Sequence, residues 1–155
     1  MLNLFYSACP FPFQAGRDVI YFNAIEELGK SIYERFLALA DEDMELEHIL
    51  SAHLEVVKEY ESVYYFMVVE GVFLPEQART AFFVLQNGIS HWMEKTIKND
   101  SVKIPFHYFF NLWLANIHYY LQNKDVFSPE KSVIEKYHDD FIKLFKQFEG
   151  SNQYE

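Results

Sequence analysis

Cysteine is nearly missing from this chain. A single one, Cys9, cannot close an internal disulfide, and one thiol among 155 residues fits a reducing compartment. Glycine and proline are scarce too, five of each, too few for the many tight turns of an all-β fold. Bases are outnumbered, 13 Lys and Arg against 23 Asp and Glu, for a net charge of −10. That balance argues against direct contact with nucleic acid, because such affinity comes mostly from cations set against phosphate. No basic segment precedes an apolar run at the N-terminus, and Ser7-Ala8-Cys9 is only a faint lipoprotein-like site. Export is therefore not expected, and a cytoplasmic location is the default. Also missing are a Gly-rich phosphate loop, G-x-S-x-G, H-E-x-x-H and a Cys–His pair. Nucleotide and nucleophilic chemistry are left without a motif, and no cofactor is expected.

What the chain has in excess is aromatic side chains, at 19%. They concentrate in residues 104–123, IPFHYFFNLWLANIHYYLQN, a stretch with no charged side chain. Phe106, Phe109, Phe110, Trp113, Leu114, Ile117, Tyr120 and Leu121 recur at steps of three and four, which marks one face of an α-helix. Tyr108, Leu112, Ala115 and Tyr119 make a second apolar face. A helix apolar nearly all round is buried on several sides or lies in lipid. Six polar residues, His107, Asn111, Asn116, His118, Gln122 and Asn123, argue against lipid. The reading is a central helix covered by its own chain on one side and by a second copy on the other.

Other elements follow from periodicity. Residues 1–20 read as an irregular N-terminal arm, with Pro10 and Pro12 breaking helix. A first helix is expected over 22–40, with Ile25, Leu28, Ile32, Phe36 and Leu39 as its stripe. A second, over 44–60 with Asp43 as N-cap, kinks near 59–62 into a shorter helix over 63–72. Gly71 and Pro75 bracket a break before a long helix over 76–98. Gly88, in the middle of that helix, implies the close approach of a neighbouring backbone. Residues 99–101 are a turn, and Ser128-Pro129-Glu130 has the order of a helix start for the last helix, ending near Phe148. The sum is an all-α bundle of about six helices in one domain, 21–150, followed by a polar tail, 151–155.

Two constellations carry possible chemistry. Glu-x-x-His occurs twice, as Glu45…His48 and Glu135…His138, the pattern that builds di-iron sites in four-helix bundles. Both pairs sit in first turns, and mid-helix glutamates to complete such a site are absent, so incidental histidines in acidic first turns are the plainer account. A ferritin-like metal-carboxylate enzyme stays as an alternative. Tyr60, Tyr64, Met67, Phe83, Asn87, His91, Trp113 and Asn116 could together line an apolar pocket with a few polar anchors. The same residues could equally be plain core, which would make the chain a ligand-free helical interaction module.

One segment has a family likeness. Tyr21-Phe22-Asn23-Ala24-Ile25-Glu26-Glu27-Leu28 resembles the Y-F-x-S-K-E-E-L junction of the tetracycline-repressor (TetR) family, with Ala24 and Ile25 departing from its Ser-Lys. Residues 48–100 are similar to that family's next three helices and 102–148 to its last two. The family's DNA-binding head, about 45 residues of helix-turn-helix, does not precede the junction here. The resemblance implies the regulatory body of a transcription regulator, not an enzyme. It implies an effector cavity and a homodimer whose four-helix bundle comes from the last two helices. On that reading Phe109, Trp113, Ile117, Tyr120, Val133, Tyr137, Phe141 and Leu144 form the dimer interface.

Overall fold

The computed structural model describes residues 11–41, 44–97 and 102–150. Among them the architecture is all-α, as the periodicity predicts. Seven helices follow in order: α1 Phe11–Leu39, α2 Leu46–Glu59, α3 Glu61–Val69, α4 Glu76–Thr96, α5 Phe106–Gln122, α6 Lys124–Phe127 and α7 Val133–Phe145. Two 3-10 turns, Gly71–Phe73 and Lys146–Phe148, follow α3 and α7. The only strand-like pairing among the described residues is an isolated antiparallel bridge between Val102 and Glu149. No described helix is long and apolar enough to cross a membrane.

The first correction is the start of α1. The arm expected over 1–20 is helical from Phe11 onward. Pro12 is the second helical residue, and in a first turn its missing N–H has no intrahelical carbonyl to meet. Pro10 and the residues before it lie outside the described residues. The helix also runs unbroken through Tyr21–Leu28, the stretch read as a junction. Asp43 and the 99–101 turn likewise lie outside the described residues, and Glu45 stands at the N-cap of α2 without a side-chain cap bond.

The break after α2 falls at Tyr60, as the periodicity predicts. Gly71 does not close α3 in the left-handed conformation; it opens the 3-10 turn. Pro75 is the N-cap of α4 and Pro105 that of α5, each extended at ψ 145° and 132°. The last helix starts four residues later than expected. Ser132, not Ser128, is its N-cap and accepts the Glu135 N–H at 3.1 Å, a Ser-x-x-Glu start. Glu61 of α3 decides the matter, because its carboxylate takes both the Ser132 hydroxyl and the Val133 N–H. Val133 and Ile134, the first two residues of α7, are then fully buried.

Two packings organise the bundle. α1 and α4 run parallel: Gly29 faces Leu85, Tyr33 faces Gly88, and the Phe36 and Trp92 rings meet edge-on at 5.2 Å. α5 and α7 run antiparallel along an aromatic ladder. Phe109 and Trp113 meet Phe145 at 5.5 and 4.9 Å, and Tyr120 meets Phe141 and Tyr137 at 4.9 and 4.8 Å. Edge-on ring pairs at such spacing each add about 0.5–1.5 kcal/mol beyond their buried area. α2 packs on α7, and Glu47 at its start binds Lys146 beyond the end of α7.

Candidate functional site

The expected pocket is not assembled. Tyr64, Met67 and Trp113 are core residues, Tyr60 and Asn116 are half-buried, and Phe83, Asn87 and His91 stand on the solvent face of α4. The cause is phase. On α4 the buried positions are Ala78, Phe82, Leu85, Gln86, Ile89 and Met93, and Phe83, Asn87 and His91 follow four residues apart on the opposite side.

What the interior holds instead is a small polar cluster. The Trp113 indole donates to His53 Nδ1 at 2.8 Å, and both residues are buried. His53 is therefore neutral, with its proton on Nε2. Burial, then the neighbouring His118, pushes its pKa down to about 3. Gln86 of α4 meets His118 of α5 at 3.3 Å between their side-chain nitrogens, and burial also lowers His118. The Tyr64 hydroxyl is buried without a hydrogen-bond partner, and burial alone raises its pKa. The two bonded pairs, Trp113–His53 and Gln86–His118, tie α5 to α2 and to α4.

The open site lies between the two parallel helices. Phe22, Gly29 and Tyr33 of α1 face Ala81, Val84, Leu85 and Gly88 of α4 across a groove of about 460 Å³. Its lining is mainly apolar, with Glu26, Lys30 and Thr80 as polar anchors. The absence of side chains at Gly29 and Gly88 keeps it wide. A Cβ at Gly88 would meet the Tyr33 ring at 3.5 Å, and one at Gly29 would meet Leu85 Cβ at 3.7 Å. The close neighbour of Gly88 is thus a side chain, not the backbone that its mid-helix position suggested. None of the eight expected pocket residues lines this groove. A partial signal was present in the sequence: Gly29 and Gly88 lie inside two long helices, where a glycine usually has a packing reason.

The expected dimer interface is corrected as well. Phe109, Trp113, Ile117, Val133 and Phe141 have at most 2% of their surface exposed within the single chain. Such side chains have no surface to offer a second copy. Tyr120 and Tyr137 are half-buried in the ladder, and only Leu144, at 46% exposed, faces out. α5 does present its second apolar face to solvent: Tyr108, Leu112 and Tyr119 are 58, 49 and 55% exposed, with exposed Ala115 between them.

For metal chemistry, α2 carries His48 and α7 carries Glu135 and His138. Among the described residues no group of three or more His, Cys, Asp or Glu is arranged to hold a metal ion. Comparison with protein-family models, with curated proteins and with solved structures finds no match.

Proposed function

We propose that this chain is a helical ligand-binding body that takes a small apolar or amphipathic molecule in the α1/α4 groove. The observation that carries the reading is the groove itself: about 460 Å³, largely apolar, with one acid and one base at its edge. Ligand sites are concave, mostly apolar and fitted with few polar groups, and they form between helices of bundles. A ligand that binds one spacing of α1 and α4 better than another biases that spacing, which is how such a body would signal. The role matches what the likeness of Tyr21–Leu28 to TetR regulatory bodies implies, with the pocket moved from the expected residues to the groove.

The same reading pairs the chain with a second copy through the outer face of α5. Two bodies of net charge −10 repel across most of their surfaces. α5 has no charged side chain over Phe106–Gln122, so its stripe of Tyr108, Leu112, Ala115 and Tyr119 meets an identical stripe without like-charge contact.

The groove is tested by titrating the protein with 1-anilinonaphthalene-8-sulfonate and following its fluorescence. Saturable binding at about one dye per chain is expected, weakened at least about tenfold by Val84→Glu, which sets a carboxylate in the apolar wall (about 1.4 kcal/mol). Val84 is 62% exposed, so the variant is expected to fold. Equal binding by wild type and variant would remove the groove as the site.

A further inference from the structure

Away from that groove, α2 and α7 bring together three residues that no sequence motif connects. Ser51 Oγ of α2 lies 3.0 Å from Nε2 of His138 on α7. His138 Nδ1 lies 3.1 Å from Asp139 Oδ1. A carboxylate only accepts, so in the neutral ring the bond to Asp139 places the proton on Nδ1 and leaves the Nε2 lone pair facing the serine hydroxyl. That tautomer is the one a general base requires, and the order of contacts, hydroxyl to imidazole to carboxylate, is the Ser–His–Asp arrangement recognised by geometry rather than by chain order. The relay lines a cleft of about 360 Å³ walled by Glu47, His48, Ile142, Lys143 and Lys146. Ser51 is half-buried in the cleft lining, and His138 keeps 26% of its side chain exposed. A reagent therefore has access to the hydroxyl.

We propose that this cleft is an acyl-transfer site, with Ser51 as nucleophile, His138 as general base and Asp139 as the positioning residue, cleaving aryl esters of short carboxylic acids. In the first step the Ser51 Oγ–carbonyl carbon bond forms, the hydroxyl proton passes to His138 Nε2, and the bond to the aryl oxygen breaks. The leaving phenolate takes the proton from His138. In the second step water attacks the acyl–Ser51 ester, gives its proton to His138, and the carboxylic acid departs as Ser51 recovers its hydrogen. The substrate class follows from what surrounds the hydroxyl. Ser51 lies inside α2, where its backbone N–H is spent on the helix, so no oxyanion hole of backbone donors faces the carbonyl. Lys143 and Lys146 supply positive charge to the cleft, and Lys146 is shared with Glu47. With that limited stabilisation the leaving group must be a good one. This site stands apart from the α1/α4 groove and does not depend on it.

The test is covalent labelling of the full chain with a fluorophosphonate, with the modified residue located by tandem mass spectrometry. Labelling forms the Oγ–phosphorus bond and expels fluoride, while His138 takes the hydroxyl proton. The expected result is a label on Ser51, lost in Ser51→Ala and slowed about 100-fold in His138→Gln, the usual share of a general base. Asp139→Asn slows it and Asp139→Glu restores it, with unfolding midpoints unchanged because Asp139 is fully exposed. Hydrolysis of p-nitrophenyl acetate follows the same order. No label on Ser51, or equal labelling rates in wild type and His138→Gln, would overturn the proposal.

Discussion

Trp113 donates its indole N–H to His53 Nδ1 across 2.8 Å, joining α5 to α2 at a point where neither side chain reaches water. The bond holds only while His53 is neutral. Its pKa is pushed down to about 3 in the folded chain, against an ordinary value of 6.5. Above pH 6.5 both the folded and unfolded chains carry a neutral imidazole, and this group adds no pH dependence. Below it the unfolded chain takes up a proton that the folded chain refuses, so stability falls by about 1.4 kcal/mol per pH unit from this group. The decline continues until about pH 3, where the folded form also protonates. Urea unfolding at pH 7, 5.5 and 4.5 is expected to show this decline, and His53→Gln, which keeps an acceptor for Trp113, is expected to flatten it. An unchanged slope in the variant would contradict the neutral, buried assignment.

Tyr64 carries the opposite kind of polar group. Its hydroxyl is buried with no partner, so it has lost water and gained nothing in exchange. Tyr64→Phe keeps the ring against Phe82, at 5.5 Å, and removes the oxygen. The variant is expected to be more stable by about 1 kcal/mol. Thermal or urea unfolding measures it, and a clear loss of stability would mean that the hydroxyl has a partner.

Gly88 gives a third measurement. A methyl group there meets Tyr33 at ordinary van der Waals distance, and alanine is favoured over glycine in a helix interior by about 1 kcal/mol. Gly88→Ala is therefore expected to stabilise the protein by about that amount and to narrow the groove. Destabilisation would show that α1 and α4 sit closer than the 3.5 Å contact indicates.

Ser132→Ala removes the cap of α7 and its contact with Glu61. A loss of about 1 kcal/mol is expected, read as a lower urea midpoint at unchanged slope. No loss would return the helix start to Ser128.

The outer face of α5 is tested by mass in solution. Ala115→Arg puts a cation in the middle of the stripe formed by Leu112 and Tyr119. Light scattering at micromolar concentration is expected to give a dimer for the wild type and a monomer for the variant. A monomeric wild type would sink the pairing.

The sequence carried the fold class and most helices because their apolar stripes repeat cleanly. Ile32 and Phe36 in α1, Ile49 and Leu50 in α2, and Phe82, Leu85 and Ile89 in α4 are all buried. It misplaced the start of α7 because two serines have cap-like surroundings, and the choice between them belongs to Glu61, distant in sequence. It misplaced the interface for a related reason. The aromatic stripe of α5 looked too large for one chain to cover, yet Phe141, Phe145 and Tyr137 of α7 cover it. Phe83, Asn87 and His91 have the chemistry of pocket residues but the wrong helical phase, since the buried side of α4 carries Phe82, Leu85, Gln86 and Ile89. Ser51 and His138 share no motif, and only the packing of α2 on α7 brings them together.

The parallel pairing of α1 with α4 bears on how the chain comes off the ribosome. The partner that covers the inner side of α1 is made three helices later, so Tyr33 emerges before Gly88 and Phe36 before Trp92. Local neighbours such as α5 and α7 dock almost as soon as they are synthesised. The face of α1 turned toward α4 instead waits for a distant helix, and contacts so far apart in sequence form late. A nascent chain stalled before α4 would be the form most in need of a chaperone.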